Sequence, residues 1–310
     1  DRLHPMSPSP IGTDLEPRGK FLNPHDLARL RNLLFGARLI VEGFYAGRHR
    51  SPFHDLSSEL ADFRPYCPGD DVRRLDWKAF GRADRLYVKQ FRKETDMRGY
   101  LVVDTSASMA FRGSESLSKF EYGAQIAAAL AFLMLRQGDR PGLALCAESL
   151  QSYVAPQGAM RSLYSLLHAL EGVEPTGRTR IAAGLRALLP IARRRGLLIV
   201  LSDFLEDPAD IFDALAMYTH RGFAVLLLQI LTDDEIALPA GGPFRFYDSE
   251  EPRSICANPA AVRDGYRREL ERHLHTLRSN ALARGMSYML LRTTVPYVEA
   301  LSAYSAKRGW

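Results

Sequence analysis

Leu101-Val102-Val103-Asp104-Thr105-Ser106-Ala107-Ser108-Met109 decides the fold: an apolar run ends on an aspartate, and two hydroxyls follow at alternate positions. A charge-free run of this kind reads as a strand buried on both faces, the signature of a parallel sheet covered by helices. Asp-x-Ser-x-Ser directly after it sets three hard oxygen donors on one loop. Such donors suit Mg²⁺ or Mn²⁺ far better than zinc or copper. Ser and Asp are also favoured helix caps, so the loop taken alone reads as the start of the next helix as well.

Working outward, residues from Gly99 alternate apolar strands with amphipathic helices, the pattern of an α/β domain. Strands are expected over 100–103, 143–147, 151–154, 197–201, 224–231 and 287–292, with 143–154 folding back as an antiparallel edge pair. Helices are expected over 118–136, 159–170, 179–193, 208–219, 259–284 and 298–307, with Pro190 kinking or ending the third. A hairpin is expected over 244–256. In an open parallel sheet, ligands gather outside the carboxyl ends of the strands. Thr179, before the helix at Ile181, and Asp203, after the strand 197–201, join Asp104, Ser106 and Ser108 at that edge.

Upstream the composition changes. Residues 1–98 carry 18 Lys or Arg against 14 Asp or Glu, and the rest of the chain 23 against 22, so the net charge of +5 is mostly N-terminal. That excess is too thin for a nucleic-acid stripe. Residues 1–20 read as a flexible Pro/Ser-rich leader, 21–98 as a small region packed on the main domain, and 99–310 as that domain. In the small region a helix is expected over 24–38 and short strands near 62–65 and 85–91. No apolar run approaches the roughly 18 residues that a membrane span needs. Three scattered cysteines fit neither a disulfide framework nor a thiolate cage, and a reducing cytoplasm is the expected setting. His273 and His275, two apart on a helix, point to different faces and are expected at the surface.

Asp104-Thr105-Ser106-Ala107-Ser108, Gly177-Arg178-Thr179-Arg180-Ile181 and Ser202-Asp203 resemble, in order, the three parts of the metal-ion-dependent adhesion site of von Willebrand factor A domains. That resemblance implies a Rossmann-type α/β fold and a metal set of Asp104, Ser106, Ser108, Thr179 and Asp203. It also implies one coordination position open to an acidic side chain of a partner. A second stretch, Arg64-Pro65-Tyr66-Cys67-Pro68-Gly69-Asp70-Asp71-Val72-Arg73-Arg74-Leu75-Asp76-Trp77-Lys78, resembles the signature of the bacterial domain of unknown function 58 family, in which it precedes a von Willebrand A-type domain. Relatives there often carry Ala where this chain has Gly81. The family resemblance implies a MoxR-type AAA+ ATPase as partner, acting on a client protein in assembly or maturation. On physical grounds Arg64, Asp70, Asp71, Arg73, Asp76 and Arg82 suit an ion-pair network on a Gly69 turn, anchored by Trp77, and the signature, Tyr66 included, reads as structural more readily than partner-binding.

Two functions of different class follow. The first is a non-enzymatic interaction module that uses bound Mg²⁺ or Mn²⁺ to engage a carboxylate. The second is a metal-dependent phosphohydrolase with Asp104 as nucleophile, which would need a second aspartate where Ser106 stands. Ser106 and Ser108 lie in no G-x-S-x-G elbow, which argues against acyl transfer.

Overall fold

Six strands form one sheet in the order β10 (Ser287–Arg292), β7 (Ala224–Leu231), β6 (Leu197–Ser202), β3 (Arg98–Asp104), β4 (Arg140–Cys146), β5 (Leu150–Val154), with β3 and β6 side by side at its centre. The structure, a computed structural model, describes residues 20–21, 58–65, 87–93, 97–238, 242, 244–250 and 252–308; of 58–65, 87–93 and 304–308 it describes the backbone alone. β4, β7 and β10 run parallel to the central pair, whereas β5 closes one edge antiparallel to β4. β3 leads outward to β4, and β6 lies on its other flank, so the chain reverses its direction of winding at β3. That reversal opens a crevice at the carboxyl ends of β3 and β6.

Strand periodicity explains the two-sided core. Leu101, Val103, Leu143, Leu145, Leu197, Ile199 and Leu201 face α1 (Lys119–Arg136), α2 (Ser162–Glu171) and α7 (Tyr297–Arg308). The alternate residues, Tyr100, Val102, Ala144, Cys146, Leu198 and Val200, face α3 (Ile181–Leu188), α4 (Pro208–His220) and α6 (Pro259–Ala283). Both faces are covered, which is why these strands contain no alternating polar residue. This is the von Willebrand factor A-like arrangement that the resemblance implied.

Some expectations shift. The third helix starts at Ile181, two residues later than expected, and of the two outcomes expected at Pro190 it ends, at Leu188, because Pro190 has no N–H to donate and its ring would collide with the preceding turn. Arg193, Arg194 and Arg195, which the apolar spacing would have put at the helix end, therefore follow the helix. One helical turn went unforeseen: α5 (Asp233–Ile236), opened by a capping box in which Thr232 and Glu235 satisfy each other's backbone N–H groups. The expected hairpin forms as β8 (Phe244–Tyr247) and β9 (Ser254–Ala257), a two-stranded sheet of its own.

Upstream, β1 (Ser58–Pro65) and β2 (Tyr87–Lys93) pair antiparallel, the first starting four residues earlier than expected and the second shifted two residues along, with a bulge between Leu60 and Asp62. Phe21 is buried against Phe120 of α1, ring edge to ring face at 6.3 Å, and the Lys20 N–H donates to Glu171 Oε1 at 2.7 Å. The chain at 20–21 is thus anchored on the α1/α2 face. The helix expected over 24–38 lies outside the described residues, as does the leader before Lys20. Among the described residues no helix is long and apolar enough to cross a membrane.

Candidate functional site

Three loops meet at the carboxyl edge of the sheet. The first follows β3, where residues 107–110 make a short 3-10 turn, and backbone bonds tie it to the second: Ala107 N–H donates to the Gly177 carbonyl at 2.9 Å and Thr176 N–H to the Thr105 carbonyl at 2.9 Å. Gly177 adopts φ 81°, the left-handed region in which a Cβ is strained, so glycine lets the chain turn here towards Thr179. Behind it, α3 lies tightly on β4. A methyl on Gly184 would sit 2.7 Å from Cys146 Sγ. The third loop follows β6 and holds Asp203; Phe204 beside it sits at φ 54°, an uncommon conformation for a bulky residue, as strained backbone near functional sites often is.

Five side chains that the sequence singled out converge. Ser106 Oγ, Ser108 Oγ and Thr179 Oγ1 form a triangle with sides of 3.1, 3.1 and 2.9 Å. Ser108 Oγ also donates to Asp203 Oδ2 at 2.7 Å. Asp104 stands behind the triangle, its Oδ1 accepting from Ser106 N–H at 2.9 Å and its Oδ2 from the Ser202 hydroxyl. All five residues are buried. Burial, and then the neighbouring charge of Asp203, push the Asp104 carboxyl up to about 7.

Four residues that sequence reasoning missed complete the site. Lys119, at the first turn of α1, is fully buried and donates from Nζ to Asp203 Oδ2 at 2.7 Å and to Glu235 Oε1. Burial pulls its pKa down, but the charges and hydrogen bonds of Asp203 and Glu235 outweigh that and hold it above the ordinary lysine value. A lysine opening a helix opposes the macrodipole, and that local conflict was the available signal. Glu235 was marked by its capping-box spacing from Thr232. Gln229, the one polar residue inside β7, donates from Nε2 to the Asp203 carbonyl at 2.8 Å and accepts from Tyr288 Oη at 2.6 Å. Glu250, at the tip of the β8–β9 hairpin, accepts on Oε1 from Thr179 N–H at 3.1 Å and from the Thr179 hydroxyl. Nothing in its sequence neighbourhood marked it.

His273 corrects one expectation: it is half-buried, with Nε2 2.9 Å from the Phe204 carbonyl, whereas His275 is exposed. Of the N-terminal signature, Arg64 contributes its backbone to β1, while Tyr66, Gly69, Asp70, Asp71, Arg73, Asp76, Trp77 and Arg82 lie outside the described residues.

The donor set can be tested against an ion. Among the described residues no three His, Cys, Asp or Glu side chains cluster to hold a metal by themselves. Mg²⁺ does not require this, since it bonds hydroxyls and retained waters beside one or two carboxylates. An octahedron with bonds of 2.0–2.1 Å has edges of about 2.9 Å, and the hydroxyl triangle has the size of one of its faces. Lys119 Nζ pairs with Asp203 and Glu235, while Asp104 accepts from Ser106 N–H and Glu250 from Thr179, so each of these two carboxylates is tied to a residue of the hydroxyl triangle. The residues fit a small, hard ion.

The chain matches known proteins along most of its length. It is 28% identical over 296 residues to the uncharacterized protein Rv1480 of Mycobacterium tuberculosis, covering 94% of this chain and 92% of that one. Among solved structures it is similar to an aerotolerance-related membrane protein from Bacteroides fragilis, at TM-score 0.47 and 16% identity over 68% of this chain and 98% of that one. BatB from Bacteroides thetaiotaomicron follows at TM-score 0.46 and 15% identity, covering 68% and 96%. The model of one family, described as protein of unknown function DUF58, matches residues 62–276, and the chain belongs to that family.

Proposed function

We propose that this protein is a non-catalytic interaction module in which a divalent ion, Mg²⁺ or Mn²⁺, held at Asp104, Ser106, Ser108, Thr179 and Asp203, engages a carboxylate of a partner protein. The observation that carries this reading is the hydroxyl triangle of 2.9–3.1 Å backed by two buried aspartates. Hydroxyls are neutral ligands, so they leave the ion short of negative charge. A carboxylate arriving from another molecule supplies it, and the ion supplies the electrophilic point at which that carboxylate docks. Each residue has its part. Asp104 and Asp203 compensate the ion's charge, Ser202 and the Ser106 N–H hold Asp104 in orientation, and Gln229 fixes the backbone at Asp203. The family resemblance supplies the partner: a MoxR-type AAA+ ATPase, with which the module would act on a client protein in assembly or maturation.

The phosphohydrolase reading finds less support. Both carboxylate oxygens of Asp104 already accept hydrogen bonds, the side chain is buried, and Ser106 stands where a general acid is needed.

Calorimetry with Mn²⁺ tests the proposal. The protein should bind one ion and Asp104→Ala should lose it; Mn²⁺ binding that survives Asp104→Ala, or Mg²⁺-dependent turnover of a generic phosphate ester, would overturn the assignment. Co-purification with the MoxR-type ATPase, lost in Ser106→Ala, tests the partner.

A further inference from the structure

The β8–β9 hairpin is tied to the rest of the molecule at an unexpected place. Six of its eight strand residues, Phe244, Arg245, Tyr247, Ser254, Ile255 and Cys256, are exposed, and the two strands pair only with each other. A lone two-stranded sheet is marginal by itself. Its tip, however, is ordered by two bonds, Asp248 N–H to the Arg253 carbonyl at 2.9 Å and Glu250 N–H to Asp248 Oδ1 at 2.8 Å. This turn aims Glu250 at Thr179, whose N–H and hydroxyl both reach Glu250 Oε1. Thr179 Oγ1 is a corner of the hydroxyl triangle. A carboxylate from the chain itself therefore stands beside the donors to which an outside carboxylate is expected to come.

We propose that Glu250 is the protein's own acidic ligand for this site: the hairpin holds it in cis at the hydroxyl triangle, and a partner's carboxylate must displace the hairpin tip to dock. The inference rests on the metal-dependent reading above. A threonine hydroxyl that bonds a cation through a lone pair still carries its proton, and Glu250 is placed to accept a hydrogen bond from it or to face the ion directly. Either arrangement strengthens the ion's hold and couples it to the hairpin. The partner this predicts is an acidic peptide segment.

The test compares the full chain with Glu250→Gln, a change that keeps the size of the side chain and removes its charge. Mn²⁺ affinity measured by calorimetry should fall by about 10-fold, as is usual when an outer partner of a metal ligand is lost. Hydrogen exchange gives a second readout: Mn²⁺ should slow exchange at 244–257 in the wild type and leave it unchanged in Glu250→Gln. A fluorescent Gly-Ser peptide with one central glutamate, in the presence of Mn²⁺, should bind Glu250→Gln more tightly than the wild type. If Asp104→Ala abolishes Mn²⁺ binding while Glu250→Gln leaves both affinity and hairpin exchange at wild-type values, the cis ligand is refuted and the metal site stands. If the wild type binds no Mn²⁺, both readings fall.

Discussion

The two ends of the central strands are built on opposite principles. At the amino ends of β3 and β6 the chain packs backbone against backbone: a methyl on Gly196 would lie 2.1 Å from the Arg98 carbonyl oxygen, and Tyr100, Tyr218 and Phe223 stack tilted and edge-on at 5.7 and 5.2 Å. The phenol of Tyr218 finds the Leu185 carbonyl at 2.6 Å. At the carboxyl ends, one strand-length away, the interior holds two aspartates, three hydroxyls and a lysine, satisfied by one another, by the Ser202 hydroxyl, by backbone N–H groups and by Glu235 and Glu250. Burying such groups costs free energy that apolar residues would not. The amino ends thus serve stability alone, and the carboxyl ends carry a cost that a function must justify.

That contrast can be broken most forcefully at Lys119. Replacing it with Met leaves Asp203 buried without its cation, and removing one member of a buried ion pair costs about 3–5 kcal/mol. Urea unfolding in chelator should show this loss, and Mn²⁺ should restore part of it; an unchanged midpoint would mean that the pair contributes nothing.

Gly196→Ala probes the other end. The methyl can be admitted only if the backbone shifts, and overpacking of this kind costs about 1–3 kcal/mol. Because the change is a strand-length from Asp104, Mn²⁺ affinity should stay at the wild-type value while thermal stability falls. A variant that lost both would show the two ends to be coupled.

A smaller effect is expected from pH. Asp104 ionises at about 7 in the fold against 3.8 ordinarily, so the native state keeps a proton that the unfolded chain releases. Stability from this group is fully present below the unfolded value and is lost as pH rises towards 7, because there the native state binds more protons. In chelator, Asp104→Asn should flatten that decline between about pH 4 and pH 7; an identical slope in both proteins would contradict the assigned shift. The least effect concerns Cys146, whose buried thiol is pushed up to about 12 by burial and then by Asp104. Alkylation read by mass spectrometry should label the exposed Cys256 and spare Cys146 in the native protein.

The strands and their order of burial were legible because periodicity is a local signal: Leu197 to Leu201 can be apolar throughout only if both faces are covered. Asn258-Pro259 announced α6 by cap chemistry, whereas Ser118, which the composition set inside α1, is its cap. The end of α3 was legible at Pro190, whose missing N–H prevails over an apolar spacing that continues beyond it. At the site, the five residues on the three loops were readable because each directly follows a strand or precedes a helix. Lys119, Glu235 and Gln229 left weaker marks: a cation at a helix start, a capping box, a polar break in an apolar strand. Glu250 left none, since a glutamate in a hairpin tip is an ordinary solvated residue until the chain is folded.

By itself, then, the sequence determined the layered α/β architecture, the edge of the sheet at which a site would lie, and which oxygen donors the three loops bring there. All of these follow from spacing along the chain. Only the tertiary structure decided the size of the hydroxyl triangle, the pairing of Lys119 with Asp203 and Glu235, and the arrival of Glu250 beside Thr179. Those contacts join residues 71 to 116 positions apart. Their partners are chosen by how the strands and helices pack, for which no local pattern in the chain is a substitute.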